Sequence, residues 1–224
     1  MIPLAAVYGF FLGEGQGTAH STALPVLGTA PDYSMTNQLE QQVSSKSFRG
    51  KVQIVSFLFP YCTTMCPLIA AHLANLESLG LDPAGLGNDV QIVSFNLDPA
   101  STGPKEMRAF LTQYGWKPED LRWQYLVGSA NDIHRVVTDG FGVGYERVSD
   151  TEQGAAQTGN FAVVQPEVMN KLADSAHVDY DIIHDDVLEI VDQQGRIRKT
   201  YDNADTVDWR ELLSAARSLV TEAR

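Results

Sequence analysis

Val52-Gln-Ile-Val-Ser-Phe-Leu-Phe59, followed by Pro60-Tyr61-Cys62-Thr63-Thr64-Met65-Cys66-Pro67, decides the architecture of this chain. The first half is a nearly unbroken apolar run of β-branched and aromatic residues, the composition of a strand buried on both faces. The second half is a turn that opens a helix. Pro67 suits a first helical position, and Ile69, Leu73, Leu76 and Leu79 then recur at helical spacing until Gly80, which is expected at a C′ position. Val90 to Leu97 repeats the character of the first strand almost residue for residue, so a parallel β-α-β unit is predicted. The only two cysteines of the chain therefore lie on a strand-to-helix turn, where free backbone N–H groups and the helix dipole favour thiolates.

Further along, Pro104 opens a second helix carrying Met107, Phe110, Leu111 and Tyr114, closed by Gly115. A short strand over Trp123 to Val127 and a helix over Ala130 to Thr138 follow, the latter with Ser129 and Asp132 as its cap signal. Val187 to Val191 and Ile197 to Tyr201, joined by Asp192-Gln-Gln-Gly195, form a hairpin, and a final helix places Trp209, Leu212, Leu213, Ala216, Leu219 and Val220 on one face. The fold class is α/β, with a central mixed sheet between helices. Residues 1–30 read as an N-terminal extension, either the end of a membrane anchor or a linker. Residues 31–224 read as one domain, with an insert at about 145–179 whose single helix signal is Pro166 to Ala173.

Sixteen basic against twenty-eight acidic residues give a net charge of −12, which excludes the basic surface that nucleic-acid binding needs. Ile2 to Leu12 is apolar but too short to span a bilayer, and no Lys or Arg precedes Lys46, so the basic region of a signal peptide is absent. Two cysteines are too few for a disulfide scaffold, and closing so short a loop gains little entropy. The pair points instead to thiol redox chemistry or to a soft metal such as Cu(I) or Zn(II). Two sulfurs leave a metal site incomplete. Of His20, His72, His134, His177 and His184, the best placed is His184, in a loop leading into the hairpin; taken alone, a lone histidine is more often a structural side chain. Met65 offers a thioether between the cysteines, though methionine is more often a gap-filler.

Taken together, Phe57-x-Phe59-x-Tyr61-Cys62-x-x-x-Cys66-Pro67, the Asp98-Pro99 pair ending the next strand, and Tyr180-x-x-x-His184 before the hairpin resemble the Sco/SenC family. Phe48-Arg-Gly-Lys51 and Asp192-x-x-Gly195 extend the resemblance from about Pro31 to Val220. The resemblance implies a thioredoxin-like three-layer sandwich and a copper metallochaperone for the binuclear copper centre of cytochrome c oxidase. Carried over residue by residue, it makes Cys62, Cys66 and His184 ligands of Cu(I) and Cu(II), with Asp98 nearby, either bonding the loop around the site or capping its own turn. It implies as partner a copper-receiving subunit of a terminal oxidase or another copper chaperone. It also implies an extracytoplasmic setting, periplasmic or on the outer face of the inner membrane, with an N-terminal tether. Thr64, Thr102 and Ile183 stand where the family commonly carries acidic residues. The alternative is a thiol–disulfide reductase in which Cys62 and Cys66 form the catalytic redox pair, although redox enzymes of this fold usually separate their cysteines by two residues rather than three.

Overall fold

The computed structural model describes residues 23–149 and 180–222. The chain runs through β1 (Gly28–Thr29), β2 (Ser34–Asn37), β3 (Gln42–Ser44), β4 (Val52–Leu58), α1 (Cys66–Asn75), β5 (Val90–Asn96), α2 (Pro104–Gln113) and β6 (Trp123–Val127). It continues through α3 (Ala130–His134), β7 (Tyr145–Ser149), β8 (Tyr180–His184), β9 (Leu188–Val191), β10 (Arg196–Tyr201) and α4 (Trp209–Glu222). Eight strands form one sheet in the order β1-β10-β9-β4-β5-β6-β2-β3, parallel through β4, β5 and β6 and antiparallel elsewhere. The two look-alike strands pair in register, Val52 with Val90 and onward to Phe57 with Phe95, so each residue lies beside its own kind.

Alternation along these central strands sorts the core into two faces. On one, the Ser56 and Ser94 hydroxyls bond at 2.6 Å and the Trp123 indole donates to Ser94 at 2.9 Å, while Tyr125 meets Phe110 of α2. Helices α1 and α4 pack together, and α4 packs on β4. On the other face Phe57 and Phe95 stack, closed by Phe141 at 5.5 and 5.6 Å and by Tyr33 at 5.1 Å. Helix, sheet and helix make the expected three layers.

Several expectations change in detail. Cys66, not Pro67, is the first residue of α1, and the helix proper ends at Asn75. The chain then widens into a π-type turn over Leu76–Leu81 that leaves Leu79 exposed. Gly80 is no C′ residue, for it lacks the positive φ of that position; a Cβ there would lie 3.1 Å from the Trp209 ring, so glycine serves the packing of α4. The third helix likewise passes into a π-type turn over Arg135–Gly140.

The sheet also takes in part of what reads as the extension. Gly28 and Thr29 pair with Ile197 and Arg196, and the buried Arg198 guanidinium donates to the carbonyls of Leu24 and Pro25. Where an insert is expected, β7 and β8 pair into a separate antiparallel ribbon, Tyr145 opposite His184 and Ser149 opposite Tyr180. The helix expected over Pro166 to Ala173, the apolar start Ile2 to Leu12, His20 and His177 lie outside the described residues. Among the described residues no helix is long and apolar enough to cross a membrane.

Candidate functional site

Strand β4 delivers the chain to the turn, whose first bond runs from the Cys62 amide to the Phe59 carbonyl at 3.2 Å. Because Cys66 opens α1, its amide is one of the helix's unpaired donors, and it points at the Cys62 sulfur across 3.4 Å. The Thr64 hydroxyl lies 3.5 Å from the same sulfur. Both cysteines are free thiols.

Their environments push them apart. A hydrogen bond from the Cys66 thiol outweighs burial and holds the Cys62 thiol down to about 7, with Thr64 and backbone N–H groups adding to the effect. Cys66 is fully buried; desolvation first, and then the hydrogen bond it gives to Cys62, push it well above the ordinary thiol range. Above about pH 7 the reduced pair is therefore a Cys62 thiolate bonded by a Cys66 thiol.

His184 arrives from the far end of the sequence. Its Nε2 stands 3.8 Å from the Cys66 sulfur, across 118 residues of chain. Its Nδ1 is 2.9 Å from the Asp185 carbonyl. A carbonyl only accepts, so Nδ1 carries the proton and the Nε2 lone pair faces the sulfur. Burial lowers the histidine's pKa, which keeps the ring neutral. A thiolate, a buried thiol and a neutral imidazole with an aimed lone pair form a soft-to-borderline donor set of the kind copper takes. Among the described residues, no group of three His, Cys, Asp or Glu side chains is already arranged to hold a metal ion. Cys66 instead touches each of the other two.

His184 is not in a loop, as its surroundings in the sequence imply, but ends strand β8. Ile182 and His184 are buried and Ile183 is exposed, the period-2 alternation of a ribbon strand. Asp98 makes no hydrogen bond to either cysteine or to His184; its partners include Asn96, Thr102, Tyr180 and Arg147. Its carbonyl accepts the amide and hydroxyl of Thr102, which closes the turn into α2. Its buried carboxylate accepts the Tyr180 hydroxyl at 2.5 Å, and Arg147 of β7 reaches it at 3.9 Å with its guanidinium carbon 3.6 Å over the centre of the Tyr180 ring. Asp98 thus pins the root of the ribbon whose end is His184. Arg147 and the role of Tyr180 escape a sequence reading, since the spacing Tyr180-x-x-x-His184 shows them only once a strand is assigned there.

The other histidines lie elsewhere. His72 bonds the Asp205 carbonyl at 3.1 Å and joins α1 to the turn before α4; His134 packs edge-on near Tyr145. Met65 stands at the N-cap of α1, and Trp116 and Trp123 pack together in the core.

Comparison with known proteins decides the family. The SCO1/SenC family model matches residues 25–221. The chain belongs to the SCO1/SenC family. A curated relative, the SCO1 protein homolog of Bacillus subtilis, is 24% identical over 189 residues, spanning 84% of this chain and 81% of the relative. Among solved structures, copper-bound ScoI of Arabidopsis thaliana superposes with a TM-score of 0.63 at 18% identity, covering 86% of this chain and 99% of that one. BsSco, described with a disulfide switch as a member of the Sco family of cytochrome c oxidase assembly proteins, gives a TM-score of 0.62 at 23% identity, covering 89% and 98%. At these identities the structures establish the shared thioredoxin-like fold, and the family membership rests on the match along residues 25–221.

Proposed function

We propose that this SCO1/SenC protein binds copper through Cys62, Cys66 and His184 and hands it to a copper-receiving subunit of a terminal oxidase, on the extracytoplasmic side of a membrane to which its N-terminus is tethered. The observation that carries this is the His184 Nε2 lone pair aimed at the Cys66 sulfur 3.8 Å away, with the opposite ring nitrogen fixed on a backbone carbonyl. Copper-bound structures among the relatives support it.

The ligand chemistry follows from the site. Cys62 enters as thiolate; Cys66 must lose its proton, which also dissolves the hydrogen bond that ties the two sulfurs together. Both sulfurs are then free to turn to one ion, with the imidazole completing the set. Complete burial of Cys66 makes its bare thiolate costly, so a cation is needed to stabilise it. Delivery is then ligand exchange, in which a partner's thiolates replace Cys62 first, since Cys62 is the sulfur with residual exposure. Competition titration of the reduced protein with a Cu(I) chelator tests this: one equivalent binds tightly in the wild type, and Cys62→Ser or Cys66→Ser weakens binding at least a hundredfold. Equal affinity in all three proteins refutes it.

A second function rests on the asymmetry of the thiols. Cys62 as thiolate can attack a partner disulfide, forming a mixed disulfide and releasing one partner thiolate. Cys66 then displaces the second partner sulfur, leaving a Cys62–Cys66 disulfide and a reduced dithiol. The disulfide switch described for BsSco supports this reading for a relative. His184→Ala separates the two functions, because thiol exchange persists without the imidazole whereas Cu(II) binding changes.

A further inference from the structure

At the His184 end of the ribbon, on the Phe141 side of the sheet, lies a cavity of about 320 Å³ that the copper chemistry does not use. Four carboxylates line it: Asp185 and Asp202 at the exposed rim, Asp186 half-buried, and Glu189 at the floor; no lysine or arginine is among its lining residues. Phe141 and Val143 supply an apolar wall. Glu189 sits on β9 in the middle of the sheet, opposite Val55 and Thr200, and only 3% of it is exposed. Its Oε2 has no hydrogen-bond partner, and neither does Oδ1 of Asp186. A central strand rarely spends an inward position on a carboxylate, and an unpaired buried oxygen is costly unless something comes to meet it.

We infer that this cavity is a binding site for one basic side chain, the lysine ammonium or arginine guanidinium of a docking protein partner, held by Glu189 and Asp186 with its aliphatic stem against Phe141 and Val143.

The dimensions fit a long side chain rather than a bare ion. The cavity is several times the volume of one water molecule. Among the described residues no three carboxylates are arranged to grip a metal directly. Lysine and arginine bury apolar stems while seeking anionic partners at the tip, and this cavity offers both kinds of surface. The surplus of acidic over basic residues in the whole chain draws a basic partner in from a distance. Position gives the site its use. Asp185 on the rim is the residue whose carbonyl fixes the His184 ring, and its carboxylate accepts the Gly144 amide at 2.7 Å where β7 begins. A partner side chain seated here therefore lies against the backbone that orients the histidine. This use of the site rests on the copper-delivery function proposed above; the occupancy of the cavity does not.

The test uses the reduced, metal-free full chain at pH 8, above the value of about 7 to which burial pushes Glu189. The probe is the tripeptide acetyl-Ala-Lys-Ala-amide, followed by amide resonances in a two-dimensional nuclear magnetic resonance titration. Its uncharged counterpart with norleucine in place of lysine, and Mg²⁺ alone, serve as comparisons. The lysine peptide is expected to shift the amides of Gly142, Val143, Val187 and Glu189 saturably, the norleucine peptide to leave them in place, and Glu189→Gln to weaken binding roughly tenfold. Asp202→Asn, on the exposed rim, is expected to weaken it less. Absence of saturable shifts, equal response to norleucine, or an affinity unchanged in Glu189→Gln overturns the proposal. Saturation of the same amides by Mg²⁺ with no competition from the lysine peptide overturns it in favour of a cation site. Because copper is left out, any of these failures leaves the copper function standing.

Discussion

Changing Tyr180 to Phe removes one oxygen and leaves the ring against Arg147, so it chiefly removes the hydrogen bond from the phenol to the buried Asp98 carboxylate at 2.5 Å, together with the phenol's contact to Ser101. Bonds to a charged acceptor contribute about 1.5–3 kcal/mol net, and the stranded partner accounts for much of it. Arg147 stays 3.9 Å from Asp98 and partly offsets the loss, so the lower end, about 1.5 kcal/mol, applies. That is roughly a tenfold rise in the population of the undocked ribbon. The β7–β8 pair lies outside the main sheet, so the effect is local. Amide hydrogen exchange reads it directly: residues 145–149 and 180–184 exchange about tenfold faster in Tyr180→Phe, while β4 and β5 keep their protection. Since His184 ends β8, Cu(II) affinity falls by a similar factor, and Cys62 alkylation is unchanged. Ribbon exchange equal to wild type would show that Asp98 does not hold the ribbon, and the positioning role assigned to it would fall.

Cys62 is expected to react with iodoacetamide with a midpoint near pH 7. Since the hydrogen bond from Cys66 is the leading cause, Cys66→Ala moves the midpoint up towards ordinary thiols and Cys66→Ser moves it less. The depressed Cys62 pKa contributes stability that is fully present above the ordinary thiol value of 9.0 and lost as pH falls through about 7, which a denaturant series over that window measures. Glu189 has the opposite sign: burial raises it from 4.5 to about 7, so its ionisation removes stability as pH rises between those values. Glu189→Gln is accordingly more stable than wild type at pH 8, on the order of 1–3 kcal/mol, and equal stability at pH 8 counts against the buried-carboxylate account. Arg198→Leu leaves the buried Asp192 with Arg196 as its remaining guanidinium partner and frees the carbonyls of Leu24 and Pro25; a loss of about 2 kcal/mol and new proteolysis within residues 23–29 are expected, against unchanged cleavage if the arm docks by other means. Gly140→Ala places a Cβ 2.5 Å from the Pro31 ring and costs about 1–3 kcal/mol in a thermal melt; an unchanged melting temperature shows that the ring can move aside.

The central layer is legible in the sequence because its strands are buried on both faces and carry their signal in composition alone. Val52 to Leu58, Val90 to Asn96 and Leu188 to Val191 are of this kind. The two strands at the β3 end of the sheet are not. Ser34–Asn37 and Gln42–Ser44 are short and largely polar, and they are secured by side chains such as Gln38, whose amide bonds the Pro118 and Trp123 carbonyls and accepts the Tyr125 amide. The end of α1 misleads for a packing reason: Gly80 makes room for Trp209, more than a hundred residues on, and nothing local announces it. At the site, the cysteine turn is local and readable. His184 is reachable only through the family resemblance, and the Asp98–Tyr180–Arg147 contact only through the fold, because both depend on a ribbon closing over long sequence separations.

In the proposed copper site His184 and the two cysteines share one ion. Electron paramagnetic resonance of the Cu(II)-loaded protein, with nitrogen couplings resolved, tests it most directly. Wild type is predicted to show one strongly coupled imidazole nitrogen in a sulfur-rich site, and His184→Ala to lose that coupling while Cys62 and Cys66 remain able to form their disulfide. A nitrogen coupling that persists unchanged in His184→Ala contradicts the claim, and with it the place of β8 in the metal site.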